Sequence, residues 1–258
     1  MKEPRDGLTP EQAETYARDG VVRLPGAVPP DDIEAMRSSL WRRLESRHGL
    51  WRDRPDTWTM AHPAQLTAQN SDFAAIGSPQ VRAVVDQLLG VGRWKEPPRW
   101  GLPLVTLPGH HARWDVPHRN WHLDIAATPE APRVARLFVI LARSEPGGGG
   151  TGYIAGSHEV MRRLAAREGV PVNSGTARKL LIAEAPWYAA LESRRKDEDR
   201  VARFMSEGGE IDGVPVQVGE MLGEPGDVIL MHPLMLHATT PNVRETPRMT
   251  LTEWVYGA

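Results

Sequence analysis

Two stretches of the chain carry residues whose types and spacing can do chemistry. In the first, His122-Leu123-Asp124 sets an imidazole and a carboxylate two positions apart inside the apolar segment Trp121–Ala126. On a β-strand, positions i and i+2 share a face about 6.5–7 Å apart along the chain, so both groups can reach one ion. Taken alone, such a pair reads equally well as a surface contact or a hydrogen-bonded core histidine. In the second stretch, Gly226-Asp227 launches the apolar run Val228-Ile229-Leu230-Met231, and His237 stands near its far end, just before the polar turn residues Thr239, Thr240, Pro241 and Asn242. Arg248 follows beyond Pro247, and an antiparallel return through that turn would set it beside His237 on the same wall.

The 258 residues include nine histidines and no cysteine. Disulfides, thiolate ligands and a cysteine nucleophile are excluded, and any metal must be held by nitrogen and oxygen. Two histidines and one carboxylate on one face of an octahedron leave three positions open, which is the ligand set of non-haem Fe(II) oxygenases. The 2-oxo acid group of 2-oxoglutarate can take two of them and O2 the third. The distal carboxylate of that co-substrate then needs a cation. Arg248 can pair with it bidentately, and the hydroxyl of Thr239 can add a hydrogen bond. Zinc-assisted hydrolysis on the same three ligands and a non-catalytic binding protein of the same fold are the alternatives. Hydrolysis has no evident use for Arg248.

The elements that must position these residues change character near residue 100. Before it the chain reads as helices. Thr9-Pro10-Glu11-Gln12 fits a capping box closed by Gly20, a short strand Val21–Leu24 follows, Ile33, Met36, Leu40 and Leu44 recur at helical spacing as far as Gly49, and Ser78-Pro79 opens a third helix ending at Gly90. Most of the early tryptophans read as packing, while Trp51 to Met60 is a candidate lid. After it, β-type runs are predicted at Leu102–Leu107, Asn120–Ala126, Val134–Ala142, Thr151–Ala155, Val214–Met221, Val228–His232 and Met249–Tyr256. A helical insertion over about 157–206 comprises Ser157–Glu168 with Ser157 as its cap, Ala177–Leu191 and Arg200–Met205.

Several features point away from other functions. Gly147 to Gly152 satisfies G-x-G-x-x-G literally, but Tyr153-Ile154-Ala155 continues as strand where a dinucleotide fold needs a helix, so the run reads as a flexible hairpin connection. The net charge of −2 offers no basic excess for nucleic acid. The mixed run Arg194 to Arg200 reads as a solvated face. No apolar stretch is long enough for a membrane span, and Met1 to Pro10 lacks the apolar region of a signal peptide, so a cytoplasmic protein acting on small molecules is expected. His158 reads as structural, His110, His111 and His118 as solvated loop residues with a substrate contact by one of them as the alternative, and His48, His62 and His232 as non-ligands.

Taken together, Trp121-His122-Leu123-Asp124, Gly152 through Gly156-Ser157-His158, Gly226-Asp227, His237 and Pro241-Asn242 leading to Arg248 resemble the phytanoyl-CoA dioxygenase-like family of Fe(II)/2-oxoglutarate-dependent oxygenases. The resemblance implies a mainly β fold with α: a double-stranded β-helix (jelly roll, cupin-like) backed by N-terminal helices, residues 1–258 forming one oxygenase domain. It implies that His122, Asp124 and His237 bind Fe(II) and that Arg248, with Thr239 nearby, binds 2-oxoglutarate. It also places the Leu102–Leu107 strand near the co-substrate. The expected reaction is hydroxylation or a related oxidative tailoring of a small metabolite with O2, releasing succinate and CO2. The intact Asp124 favours oxygenation over the halogenation of relatives that lack this carboxylate.

Overall fold

The computed structural model describes residues 7–64, 66, 72–109, 113–130, 132–193 and 199–258. The expectations for His110 and His111, and most of the charged run Arg194 to Arg200, lie outside the described residues.

Helix α1 (Pro10–Asp19) carries the capping box: Thr9 Oγ1 accepts from the Gln12 N–H, and Gln12 returns the bond to the Thr9 N–H. Gly20 closes it in the left-handed region. Strand β1 (Val21–Leu24), α2 (Pro30–His48) and α3 (Pro79–Leu89) follow, α3 capped by Ser78. These helices cover one face of an antiparallel five-stranded sheet ordered β1-β7-β3-β9-β2, with β2 Leu102–Thr106, β3 Val134–Ile140, β7 Val228–Met231 and β9 Arg248–Tyr256. Side-chain alternation divides β3 cleanly. Leu137 and Val139 join Leu40, Leu44, Val84, Leu230 and Leu251 in the helix-side core, whereas Phe138 and Ile140 point to the interior with Ile229, Met231 and Met235.

A second antiparallel sheet, ordered β5-β6-β4-β8, consists of β4 Gly152–Ala155, β5 Gly209–Ile211, β6 Val214–Glu220 and β8 His237–Ala238. Between β4 and β5 lie α4 (Ser157–Glu168), α5 (Ser174–Glu184), α6 (Pro186–Glu192) and one π-type turn over Ala202–Glu207. Two antiparallel sheets with helices stacked on the larger one are the double-stranded β-helix expected from the sequence. Among the described residues no helix is long and apolar enough to cross a membrane.

The structure corrects several local expectations. Residues 120–126 form no strand: only a bridge between His122 and His237 is made, and Asn120 has a positive φ that breaks the extended run. The single helix expected over Ala177–Leu191 is two, because Pro186 has no N–H to continue the ladder. Ser157 is the first helical residue and not the cap. Gly156 fills that place with φ +78°, where a Cβ would lie 2.2 Å from the Pro215 carbonyl. Freed from capping, the Ser157 hydroxyl accepts from the Leu236 N–H and meets Met235 Sδ. The glycine run is not a hairpin connection: it carries the chain from β3 in one sheet to β4 in the other. Finally, Arg248 and His237 do not share a wall, since β9 and β8 belong to facing sheets. Trp58 stacks on Trp41 of α2, which ties the candidate lid to the helical layer.

Candidate metal centre

His122, Asp124 and His237 come together: one ligand atom from each lies within 4.8 Å of the others. Reciprocal backbone bonds between His122 and His237, 3.0 and 3.1 Å long, hold the two imidazoles side by side, ring centroids 4.2 Å apart. His122 Nδ1 pairs with the Asn120 carbonyl at 2.9 Å and His237 Nδ1 with the Met235 carbonyl at 3.1 Å. A carbonyl can only accept, so each Nδ1 carries a proton, which leaves Nε2 as the atom that would bind a metal. Both Nε2 atoms face the Asp124 carboxylate, at 3.7 Å from Oδ1 and 3.4 Å from Oδ2. Two imidazole nitrogens and a carboxylate oxygen, preset by backbone acceptors, fit a divalent transition metal. No other such cluster occurs among the described residues.

The ligand segment is held from the opposite side by the helical insertion. Ser174 Oγ, at the start of α5, accepts from the Leu123 N–H and donates to the Leu123 carbonyl, both at 3.0 Å. Ala127 and Val172 exchange backbone bonds as well. Burial works to raise the Asp124 carboxyl, but His237, Arg136 and His122 outweigh it and hold the group below the usual carboxylate range.

Arg248 is buried at the start of β9, paired in register with Thr106. Its Nη2 donates across the interior to Thr151 Oγ1 at 2.8 Å. Thr151 precedes Gly152, whose partner in the second sheet is Ala238, so Arg248 reaches the His237 side from the opposite sheet. Burial lowers its pKa to about 10 against the pull of Glu220, and it remains charged at neutral pH. Thr239 is exposed and, among the described residues, hydrogen-bonded to none. The turn before Arg248 is fixed by Asn242, whose amide donates to the carbonyls of Thr106 and Thr246.

Three participants escaped the sequence reading. Glu220 is buried and receives N–H bonds from Gly147 and Gly150, both 2.9 Å, plus a longer one from Thr240. The glycine run thus cradles a carboxylate of its own protein; at Gly150 a Cβ would sit 2.6 Å from the Met221 carbonyl. Burial pushes the Glu220 carboxyl up, those N–H donors notwithstanding. Ser174 had no motif to mark it. Arg136 did carry a signal, a lone charge within the apolar run Val134–Ala142. Its Nη2 lies 3.1 Å from Asp124 Oδ2, and its guanidinium lies over the rings of Trp254 and Phe138 at 4.2 and 4.8 Å. Such contacts contribute about 0.5–2 kcal/mol each.

His158 is structural as expected: Nε2 bonds the Ala17 carbonyl and the ring packs against His232. His48 bonds the Ala64 carbonyl. Two surface cavities, one of about 310 Å³ between β1 and β6 and one of about 390 Å³ between Arg23 and the loops at 143–146 and 222–224, contain none of the three candidate ligand residues.

The jelly roll and its two-histidine, one-carboxylate cluster define the class of non-haem metal oxygenase folds. Residues 16–250 match the family model described as phytanoyl-CoA dioxygenase (PhyH), and the chain belongs to this family of iron- and 2-oxoglutarate-dependent oxygenases. The fold is similar to that of the non-haem alpha-ketoglutarate-dependent carbocyclase SnoK from nogalamycin biosynthesis, with 18% identity, a TM-score of 0.59, and 97% of this chain and 84% of that one covered. It is similar to iron-bound EctD from S. alaskensis, with 20% identity, a TM-score of 0.55, and coverage of 100% and 79%. HygX from Streptomyces hygroscopicus with nickel and 2-oxoglutarate bound gives 17%, 0.54, and coverage of 97% and 87%. At these identities the likeness concerns the fold. No curated protein matches the sequence.

Proposed function

We propose that this protein oxidises a small-molecule metabolite, by hydroxylation or a related oxidative tailoring step, within a biosynthetic pathway, and that the whole chain works as one oxygenase unit. His122, Asp124 and His237 would hold Fe(II), and Arg248 would take the distal carboxylate of 2-oxoglutarate. When bound, the iron supplies the oxidation, using O2 and 2-oxoglutarate and releasing succinate and CO2.

The observation that carries this reading is the convergence of two Nε2 atoms on one carboxylate in an interior that also holds the buried Arg248. Among the described residues Arg248 makes no direct ion pair and feels only the more distant Glu220, so its donor edge suits a diacid co-substrate, and it has no role in zinc-assisted hydrolysis. The chain's own residues do the positioning. The Asn120 and Met235 carbonyls orient the imidazoles, Ser174 fixes the backbone between the first two ligands, and Thr151 aims the Arg248 guanidinium. Thr239, whose hydroxyl is exposed, would add a bond to the same co-substrate carboxylate. Tailoring chemistry also agrees with a protein of similar fold from a biosynthetic pathway, the carbocyclase SnoK from nogalamycin biosynthesis.

The test is anaerobic titration with Fe(II) and then 2-oxoglutarate, followed by succinate release in air. Arg248→Ala should leave metal binding intact while weakening 2-oxoglutarate binding by about 2–5 kcal/mol, as for one side of a buried charge pair. Unchanged 2-oxoglutarate affinity would remove Arg248 from the site.

A further inference from the structure

Arg136 stands among Ala135, Leu137, Phe138, Val139 and Ile140, all buried, and its own side chain is only 7% exposed. Among the described residues it makes one polar contact, through Nη2 to Asp124, while Nε and Nη1 are buried with no hydrogen-bond partner there. A buried guanidinium with two orphaned donors is unfavourable, and an apolar side chain of similar volume would fill the place without that penalty. Holding Asp124 accounts for only one nitrogen. Glu253 is the other carboxylate whose charge Arg136 feels, but its oxygens are taken by the N–H groups of Gly101 and Trp254.

The sheet register shows where those donors lie relative to Arg248. Arg136 pairs with Trp254, and Arg248 is six positions earlier on the same strand and the same face. At about 3.4 Å per residue the two arginines are about 20 Å apart along the strand. One end of the interior therefore offers a cation to the co-substrate, and the other offers a cation next to the metal ligand Asp124. At that second end Trp254 stacks with Tyr256, which is 54% exposed, so an aromatic rim leads from the surface to Arg136.

We propose that Arg136 is a specificity residue that pairs with a carboxylate of the substrate, so that the enzyme acts on an acidic small molecule with an apolar body. The proposal deepens the oxygenase reading and rests on it. With a divalent ion held by Asp124, the carboxylate would no longer depend on Arg136 for its counter-charge, and the guanidinium would be free to offer a donor edge to the substrate carboxylate. Phe138 and Trp254 flank the apolar part.

The experiment uses protein loaded with Co(II), which is redox-inert here, and 2-oxoglutarate. It is titrated calorimetrically with benzoate and phenylacetate, and with benzamide and phenylacetamide as uncharged counterparts. The wild type should prefer each acid over its amide at least ~10-fold. Arg136→Met should erase that preference and Arg136→Lys should retain part of it, with 2-oxoglutarate affinity within ~3-fold of wild type in both. Equal binding of acids and amides by the wild type would overturn the proposal, as would a preference that survives in Arg136→Met. A parallel loss of 2-oxoglutarate affinity would assign Arg136 to the co-substrate instead, and loss of Co(II) would reduce it to a support for Asp124. A wild type that takes up neither Co(II) nor 2-oxoglutarate would sink the oxygenase reading itself, and this proposal with it.

Discussion

The two sheets solve different problems. The five-stranded sheet has strands of up to nine residues, lies beneath three helices and carries Arg136 and Arg248 on its interior face. The other sheet presents His237 on a strand of two residues, and His122 and Asp124 on a segment with a single bridge to it. Cations are placed by a rigid ladder, whereas the candidate ligand triad is placed by individual pins: two carbonyls on Nδ1 atoms and one serine hydroxyl. Removing a residue from the first sheet should therefore cost stability, and removing one from the second should cost metal affinity.

The largest effect is expected at His237. His237→Ala deletes a proposed ligand and should lower metal affinity beyond the ~100-fold that marks the upper end for outer-shell changes. Anaerobic titration reads this directly, and a folded variant with unaltered affinity would break the assignment. Leu137→Ala, on the helix-facing side of β3, should do the opposite: a loss of about 2–5 kcal/mol in urea unfolding with metal affinity preserved. Coupled losses there would show that the two sheets are not separable.

A smaller effect concerns the junction where α1 meets the barrel. Burial, helped by His158, lowers His232 from 6.5 to about 3, so the folded state refuses a proton that the unfolded chain accepts. That stability is full above pH 6.5 and is lost as pH falls toward 3, at about 1.4 kcal/mol per pH unit at most. His232→Gln should flatten this slope in urea midpoints measured from pH 7 to 5. The smallest effect is assigned to Ser174→Ala. Loss of the clamp on Leu123 should reduce metal affinity ~10-fold while costing about 1 kcal/mol of stability.

The same contrast decides what was legible in the sequence. The helices and the larger sheet announced themselves through caps, glycine stops and alternating apolar runs, because local propensity and burial agree there. His122, Asp124, His237 and Arg248 were legible from residue type and order, and the structure brings the first three together. Their setting was not legible: the segment at Asn120 bends through a positive φ, and the wall on which Arg248 sits depends on which strands pair. Ser174 acts on Leu123 from 51 residues away. Glu220 and the glycine run define each other only once two sheets face, so neither stood out in the chain.

The clamp and the Ala127–Val172 bridge also make the insertion and the ligand segment one thermodynamic unit. An ion that orders Leu123 orders the start of α5 as well, and by linkage anything that steadies α5 tightens the ion. Loading of the proposed centre would therefore be felt in α5, outside the jelly roll, through the Leu123–Ser174 and Ala127–Val172 contacts alone.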